Sequence, residues 1–287
     1  MAVQQFNNEG LFGTSGVWTT VANWDTGGIP ALNERVLVRN TGFDIVTVSG
    51  QGAIDLERLE FDRTCAHSVG ATGDRLTIDV QSDGIGGDGP GWLIYGGKGA
   101  EAWFTVDCKK FVARHTGTDD NSCVVSHRTN NIDEVICENG RTQLDGGTYV
   151  IVSVTAVDSA STRCIIDSGS TVSIVRQRGG FAEYSSTNTI AQLDVDGGEF
   201  QHLADGVVTS LRISGDGVVR FDGEATWAGV TQYGGYLDLS RTAKIKTITD
   251  YKGYGGTLDL RGPGVPSFTS YFASDNVKVL GAVKLST

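Results

Sequence analysis

Proline is scarce in this chain, with four in 287 residues, and methionine occurs once, at position 1. No stretch keeps apolar residues at i, i+3, i+4 and i+7 for the length of an amphipathic helix, which argues against a helical fold. No apolar run approaches the roughly 18 residues that a membrane-spanning helix requires. Basic residues cluster no further than Lys109 and Lys110, and the net charge is −11. A partner held by a basic surface, whether nucleic acid or an anionic membrane, is therefore not expected. The opening residues, MAVQQFNNEGLFGTSG, have neither the basic stretch nor the apolar core of a secretory signal, so export by that route is not expected either. Cys65 with His67, and Cys123 with His127, each lack a second half that would complete a zinc site. Together with Cys108, Cys137 and Cys164 the cysteines number five, an odd count that reads as reduced thiols filling space as small apolar residues. No cofactor is implied.

What the chain has in abundance is glycine, 40 residues of it, without a Gly-X-Y period and alongside ample Val, Ile, Leu and Phe. That composition suits a folded chain with many tight corners rather than collagen or disorder. Between the glycines run short alternating segments: RVLV, RLTIDV, TYVIVSV, TVSIV, VVRF and NVKVL. Alternation of this kind is the mark of β-strands. Residues 233–240 read YGGYLDLS and residues 254–261 read YGGTLDLR, one motif written twice. Looser relatives begin at Leu144 (LDGGTYVIV), Leu193 (LDVDGGEFQHL) and Ile213 (ISGDGVVRF). Gly234, Gly235, Gly255 and Gly256 are expected to form the sharp corners, with an alternating strand after each pair. Glycine corners and strands recurring at about 18 to 21 residues predict a solenoid in which each repeat is one coil of three short strands. The expected fold is all-β, a right-handed parallel β-helix over residues 51–287. A propeller needs a longer period; a β-sandwich, which also has short strands and frequent turns, stays open as an alternative, and the near-copy favours the helix.

Residues 1–50 differ in character and are expected to form an N-terminal cap. A solenoid's end exposes unpaired strand edges and an open core, so it needs covering. Trp18, Asn23, Trp24 and Pro30 are the candidate cap residues, the two tryptophans plugging the first coil. The last residues, SYFASDNVKVLGAVKLST, end in two alternating strands, and a partner subunit is expected to cover that end.

Gly16, Trp18, Asn23, Trp24, Gly28, Pro30 and Val36 to Val38 resemble the G-x-W-x-x-x-x-N-W-x-x-G-x-x-P…V-x-V lead-in found ahead of right-handed β-helices in bacteriophage virion proteins and bacterial surface adhesins. The GG-x-L-x-L rungs are similar to those of phage head decoration and tail-spike proteins. Family members usually carry Asp where Glu34 stands here. The resemblance spans about 25 residues of lead-in and about 100 of rungs, and it implies a virion or cell-surface setting. With no secretory signal expected, the virion is the expectation.

Enzymatic readings start from acids, because glycan-cleaving β-helices are expected to use paired carboxylates on an outer face. Asp238 and Asp259 hold equivalent places in the two copies and would stack one strand spacing apart. The plainer reading, a solvated ladder of outward aspartates offset by Arg241 and Arg261, is preferred. Asp119 and Asp120, with Arg114 and His115, sit in ARHTGTDDNS, which reads as a polar turn, and Asp133 with Glu134 receive the same reading. No helix is expected after the glycine-dense residues 82–99 and no Lys-Ser/Thr pair closes them as in a phosphate-binding loop, so they read as a surface excursion that grips a neighbour through exposed Trp92 and Tyr95. Tyr233, Tyr236, Tyr251, Tyr254 and Tyr271, with Trp227 close by, read as corner packing or as a subunit interface, with glycan binding ranked third. Tyr233 and Tyr254 are the candidate interface residues among them. The expected role is structural rather than catalytic: a decoration or cement protein on a tailed-phage head. Its partner would be the major capsid protein or another virion protein, with self-association as a trimer compatible with the fold. The alternatives are a tail-spike or fibre protein that binds or cleaves host glycans, and a bacterial β-helical adhesin.

Overall fold

The computed structural model describes residues 3–6, 24, 25, 30, 34–39, 44, 45, 56–80, 91–98, 101–116, 122–128, 131–156, 162–224, 226–241, 244 and 246–286. The chain divides into two compact units, Met1–Thr148 and Tyr149–Thr287. Both are stretches of parallel β-solenoid, and the described residues contain no helix.

In the first unit the strands are β1 (Val3–Phe6), β2 (Arg35–Val38), β3 (Arg58–Phe61), β4 (Leu76–Val80), β5 (Trp92–Tyr95), β6 (Ala102–Cys108), β7 (Lys110–Ala113), β8 (Cys123–Ser126), β9 (Ile132–Cys137) and β10 (Arg141–Leu144). They form two parallel ladders. One runs β1, β2, β3, β5, β7, β9, and the other β4, β6, β8, β10. Because the pairing is parallel and in register, inward residues stack as columns through the coils. Val36, Leu59, Leu93, Phe111 and Val135 make one column, and Phe61, Tyr95, Ala113 and Cys137 another. All nine are buried. Each large aliphatic or aromatic side chain in such a column is worth about 1.5–3 kcal/mol of burial.

The second unit carries β11 (Gly147–Val154), which begins at the boundary, then β12 (Arg163–Ile166), β13 (Ser170–Tyr184), β14 (Ile190–His202), β15 (Val208–Ile213), β16 (Val218–Phe221), β17 (Thr226–Gln232), β18 (Tyr236–Asp238), β19 (Thr247–Gly253), β20 (Gly256–Asp259), β21 (Ser267–Ala273), β22 (Val277–Leu280) and β23 (Lys284–Leu285). β13 and β14 are long because each passes round a corner and serves both ladders. After them the ladders separate into β15, β17, β19, β21, β23 and β16, β18, β20, β22. Eighteen residues separate Ile174 from its partner Gln192, 19 separate Ser210 from Gly229, and 21 separate Gly229 from Asp250. The anticipated spacing is thus one coil. Among the described residues the coils show two ladder strands rather than the expected three, and Leu239 to Arg241, Lys244 and Lys246 belong to no strand. The Val208, Trp227, Ile248, Phe268 column ends at Leu285, which is 58% exposed.

The repeated motif aligns with itself: Tyr236, Leu237 and Asp238 lie against Thr257, Leu258 and Asp259. Its two glycines serve different ends. Gly235 and Gly256 take positive φ, +67° and +91°. Gly234 and Gly255 do not, and are small for another reason: a Cβ there would come 2.9 Å from the Gly215 carbonyl oxygen and 2.7 Å from that of Tyr233.

Within the segment expected to be a cap, β1 already pairs with β2, and β2 with β3, as ladder strands. Trp24 and Pro30 are buried. Trp18 and Asn23, like Gly16 and Gly28, lie outside the described residues.

Candidate functional site

Asp238 and Asp259 were expected to face solvent, and both are buried, at 7% and 1% exposure. Strand alternation ends at these residues because the chain turns a corner directly after them, so Leu237 and Leu239 are both inside as well. The Asp238 carboxylate accepts the Ser240 N–H at 2.9 Å and the Ser240 hydroxyl at 2.6 Å, closing the turn. Asp259 accepts the Arg261 N–H at 3.1 Å and is gripped by the Arg261 guanidinium at 3.0 and 2.7 Å. The Tyr236 hydroxyl donates to the same carboxylate from the preceding coil. Hydrogen bonding from Arg261 holds Asp259 well below the usual carboxylate range, while burial, reinforced by the hydrogen bond to Asp259, pushes the Tyr236 phenol up to about 12. Arg241 turns to Asp222 instead, at 3.3 Å. The two aspartates thus brace corners and do not form an open acid pair.

The tyrosines of the same region sort into two groups. Tyr251 is fully buried, donates to the Gln232 side chain at 2.7 Å and stacks on Tyr271 with centroids 5.3 Å apart. Trp227 is also in the core, stacked on Phe221 at 4.2 Å. Tyr233 and Tyr254, 56% and 44% exposed, stack on each other at 5.3 Å and 12°. Phe272 continues this outer column from the next coil, 5.7 Å from Tyr254, and the Arg212 guanidinium lies over Tyr233 at 5.9 Å. The ring faces are therefore used by each other and by Arg212, which leaves edges and hydroxyls outward and little open face for a sugar ring to stack on. Phe272 and Arg212 escaped the sequence reading. Counting one coil on from Tyr254, about 18 residues, finds Phe272.

Trp92 is 37% exposed on the outer face of β5, between the Lys110 ammonium at 5.3 Å and the Arg58 guanidinium at 6.0 Å. Tyr95, expected beside it at the surface, is wholly buried. Three residues along a strand reverse the face, and Tyr95 drops between Phe61 at 5.9 Å and Phe104 at 5.5 Å. His115 is likewise inside the core, 5.3 Å from Tyr95, and burial lowers it to about 4. Asp119 and Asp120 lie outside the described residues, as do residues 82–90 and 99 of the glycine-rich segment. Asp133 and Glu134 are on β9 rather than in a turn, and Glu134 pairs with Lys110 at 2.9 Å. Alternation in IDEVIC carries that strand signal.

All five cysteines are free and buried, and burial pushes the Cys108 and Cys123 thiols up. Among the described residues no group of three or more His, Cys, Asp or Glu side chains converges. A second histidine missed by the sequence reading, His202, fills the column between Tyr184 and Phe221, 5.1 Å from each, and burial lowers it to about 4. Charged side chains outside the core pair across coils: Arg35 with Glu57, Arg128 with Asp79, Arg220 with Glu199.

Comparison with protein-family models, with curated protein sequences and with solved structures gives no match to this chain.

Proposed function

We propose that this chain is a structural protein of a tailed-phage particle, most simply a decoration or cement protein resting on the major capsid protein at the head surface. The observation that supports this reading is where the polar groups go. The repeated aspartates are buried in corner turns, and many outer charges are matched from one coil to another, so much of the chemistry of the solenoid is spent on its own rigidity. A stiff ladder with sheathed backbone is suited to bracing a shell. The rings it leaves outward, Trp92, Tyr233, Tyr254 and Phe272, offer large contact area at small entropic cost. The lead-in motif around Trp18 to Pro30 supports the same setting by resemblance. Capsid protein, another virion protein or two further copies in a trimer would be the partners, and no cofactor enters the role.

The test is the copy number of this chain in purified particles from its source, by quantitative mass spectrometry against the major capsid protein. Hundreds of copies fit decoration of the head. A handful would move the assignment to a tail spike or fibre, and absence from the particles would remove the virion reading and favour an adhesin.

A further inference from the structure

The turns that follow β3, β5 and β7 sit one above another. Phe61, Tyr95 and Ala113 are in register, the Gly96 N–H donates to the Phe61 carbonyl at 2.7 Å, and the Arg114 N–H donates to the Tyr95 carbonyl at 2.7 Å. The outer two turns carry long or hydroxylated side chains, Arg63 and Thr64 on one, Arg114 and Thr116 on the other. The middle turn has Gly96 opposite them, while Gly97 lies in line with the buried Cys65 and His115 and is small because a Cβ there would meet the Tyr95 ring. Beside Gly96 these turns leave a notch, a cleft of about 610 Å³ with Arg63, Lys98 and Arg114 around it. That volume is in the range of small-molecule sites.

The charge around the notch runs against the rest of the molecule. The chain has 34 acidic residues against 23 lysines and arginines, yet no carboxylate lines this cleft. Arg114 is tethered to Glu138 at 2.5 Å, which fixes its guanidinium, while no ion pair engages Arg63 or Lys98 among the described residues. A comparable notch in the second unit, about 490 Å³ beside Gly179, Gly180 and Gly198, has Glu199 and Asp216 in its wall against Arg178 alone. Clefts border glycine corners in both units, and of the two only the first has no carboxylate among its lining residues.

We infer that the Arg63–Lys98–Arg114 notch binds an oxyanion, a carboxylate or phosphate group, carried on a compact organic body. Arg63 brings a guanidinium fork with no ion pair among the described residues, and Arg114, whose Nε and Nη2 donate to Glu138, borders the notch from a turn two coils away, roughly 10 Å between their strand levels. Lys98 adds a point charge from the middle turn. Thr116 supplies a hydroxyl, the Thr64 hydroxyl donating to Asp62, and the methylene stems of the cations with Ala66 form the wall that an organic body would contact. The cleft holds more than one ion's volume, which is why a bare anion is the poorer fit.

The full chain would be titrated at constant ionic strength with phenyl phosphate, benzoate, inorganic phosphate and uncharged benzyl alcohol, following binding by calorimetry. Arg63→Glu and Lys98→Glu, both at exposed positions, would be compared after thermal melts confirm that they fold. The expected result is saturable binding of phenyl phosphate or benzoate, absent for benzyl alcohol, with affinity reduced about tenfold or more by Arg63→Glu and partly kept by Arg63→Lys. Binding unchanged in both charge-reversed variants, or no saturable binding of either aromatic anion, overturns the site. Inorganic phosphate binding as tightly as phenyl phosphate overturns the organic body and leaves a bare-ion site.

Discussion

The phenol of Tyr236 is hydrogen-bonded to the carboxylate of Asp259, its neighbour one coil further along the ladder. A residue of one copy of the motif thereby secures the aspartate of the next, and Arg261 secures it from its own turn. Replacing Asp259 with Ala leaves both partners without their acceptor, so the thermal unfolding midpoint should fall by on the order of 5 °C. Asp238→Ala, which loses the two hydrogen bonds from Ser240 but no guanidinium partner, should cost less. The ranking can be read from parallel thermal melts followed by circular dichroism.

Acid should unfold the chain in two stages with different origins. His115 and His202 are held neutral inside, lowered to about 4, while in the unfolded chain each would titrate near 6.5. The unfolded state binds more protons in that window, so stability is full above about pH 6.5 and declines toward pH 4, by at most about 3 kcal/mol per histidine. Asp259, also depressed, contributes stability that is present above roughly pH 4 and lost only below it. His202→Phe should narrow the gap between urea midpoints at pH 7 and pH 5, and an unchanged gap would assign the loss elsewhere.

Positive φ alone and positive φ with a close neighbour should be separable in cost. Gly146 has φ +69° and open space where a Cβ would sit, so Gly146→Ala should cost about 1 kcal/mol. At Gly235, with φ +67°, the added Cβ would fall 2.1 Å from the Gly217 carbonyl oxygen, and Gly235→Ala should cost about 3 kcal/mol or more. Chemical denaturation of the two variants measures the difference.

Trp92 and Tyr95 belong to one four-residue strand and should answer truncation very differently. Tyr95→Ala opens a cavity among Phe61, Phe104 and His115 and should destabilise by about 3–5 kcal/mol. Trp92→Ala gives up two surface cation–π contacts and should cost about 1 kcal/mol. Equal losses in denaturant titration would contradict the placement of these two side chains.

Fold class was legible because solenoid strands obey the simplest rule a sequence can show. RVLV, VVRF and NVKVL alternate, and they are β2, β16 and β22. The 21-residue separation of the two motifs could be read directly as one coil. Depth was harder to read. Asp238 and Asp259 look outward on a strand template, and only the corner that follows makes them inward, which local alternation does not encode. Tyr95 looked like an exposed aromatic in a glycine-rich excursion, although its partners Phe61 and Phe104 come from other coils. His115 was misplaced for the same reason, since the column that encloses it is assembled by register between distant segments.

Coil lengths in the second unit vary by a few residues while the strands stay in register, since the extra residues are taken up between strands. The motif of residues 233–240 and its near-copy are offset by one such coil. A tandem duplication of that length would therefore enter as a whole rung, with each end already fitted to its neighbours. Growth of this molecule by copying has a natural quantum, and the surface columns lengthen by one ring or one charge with each copy.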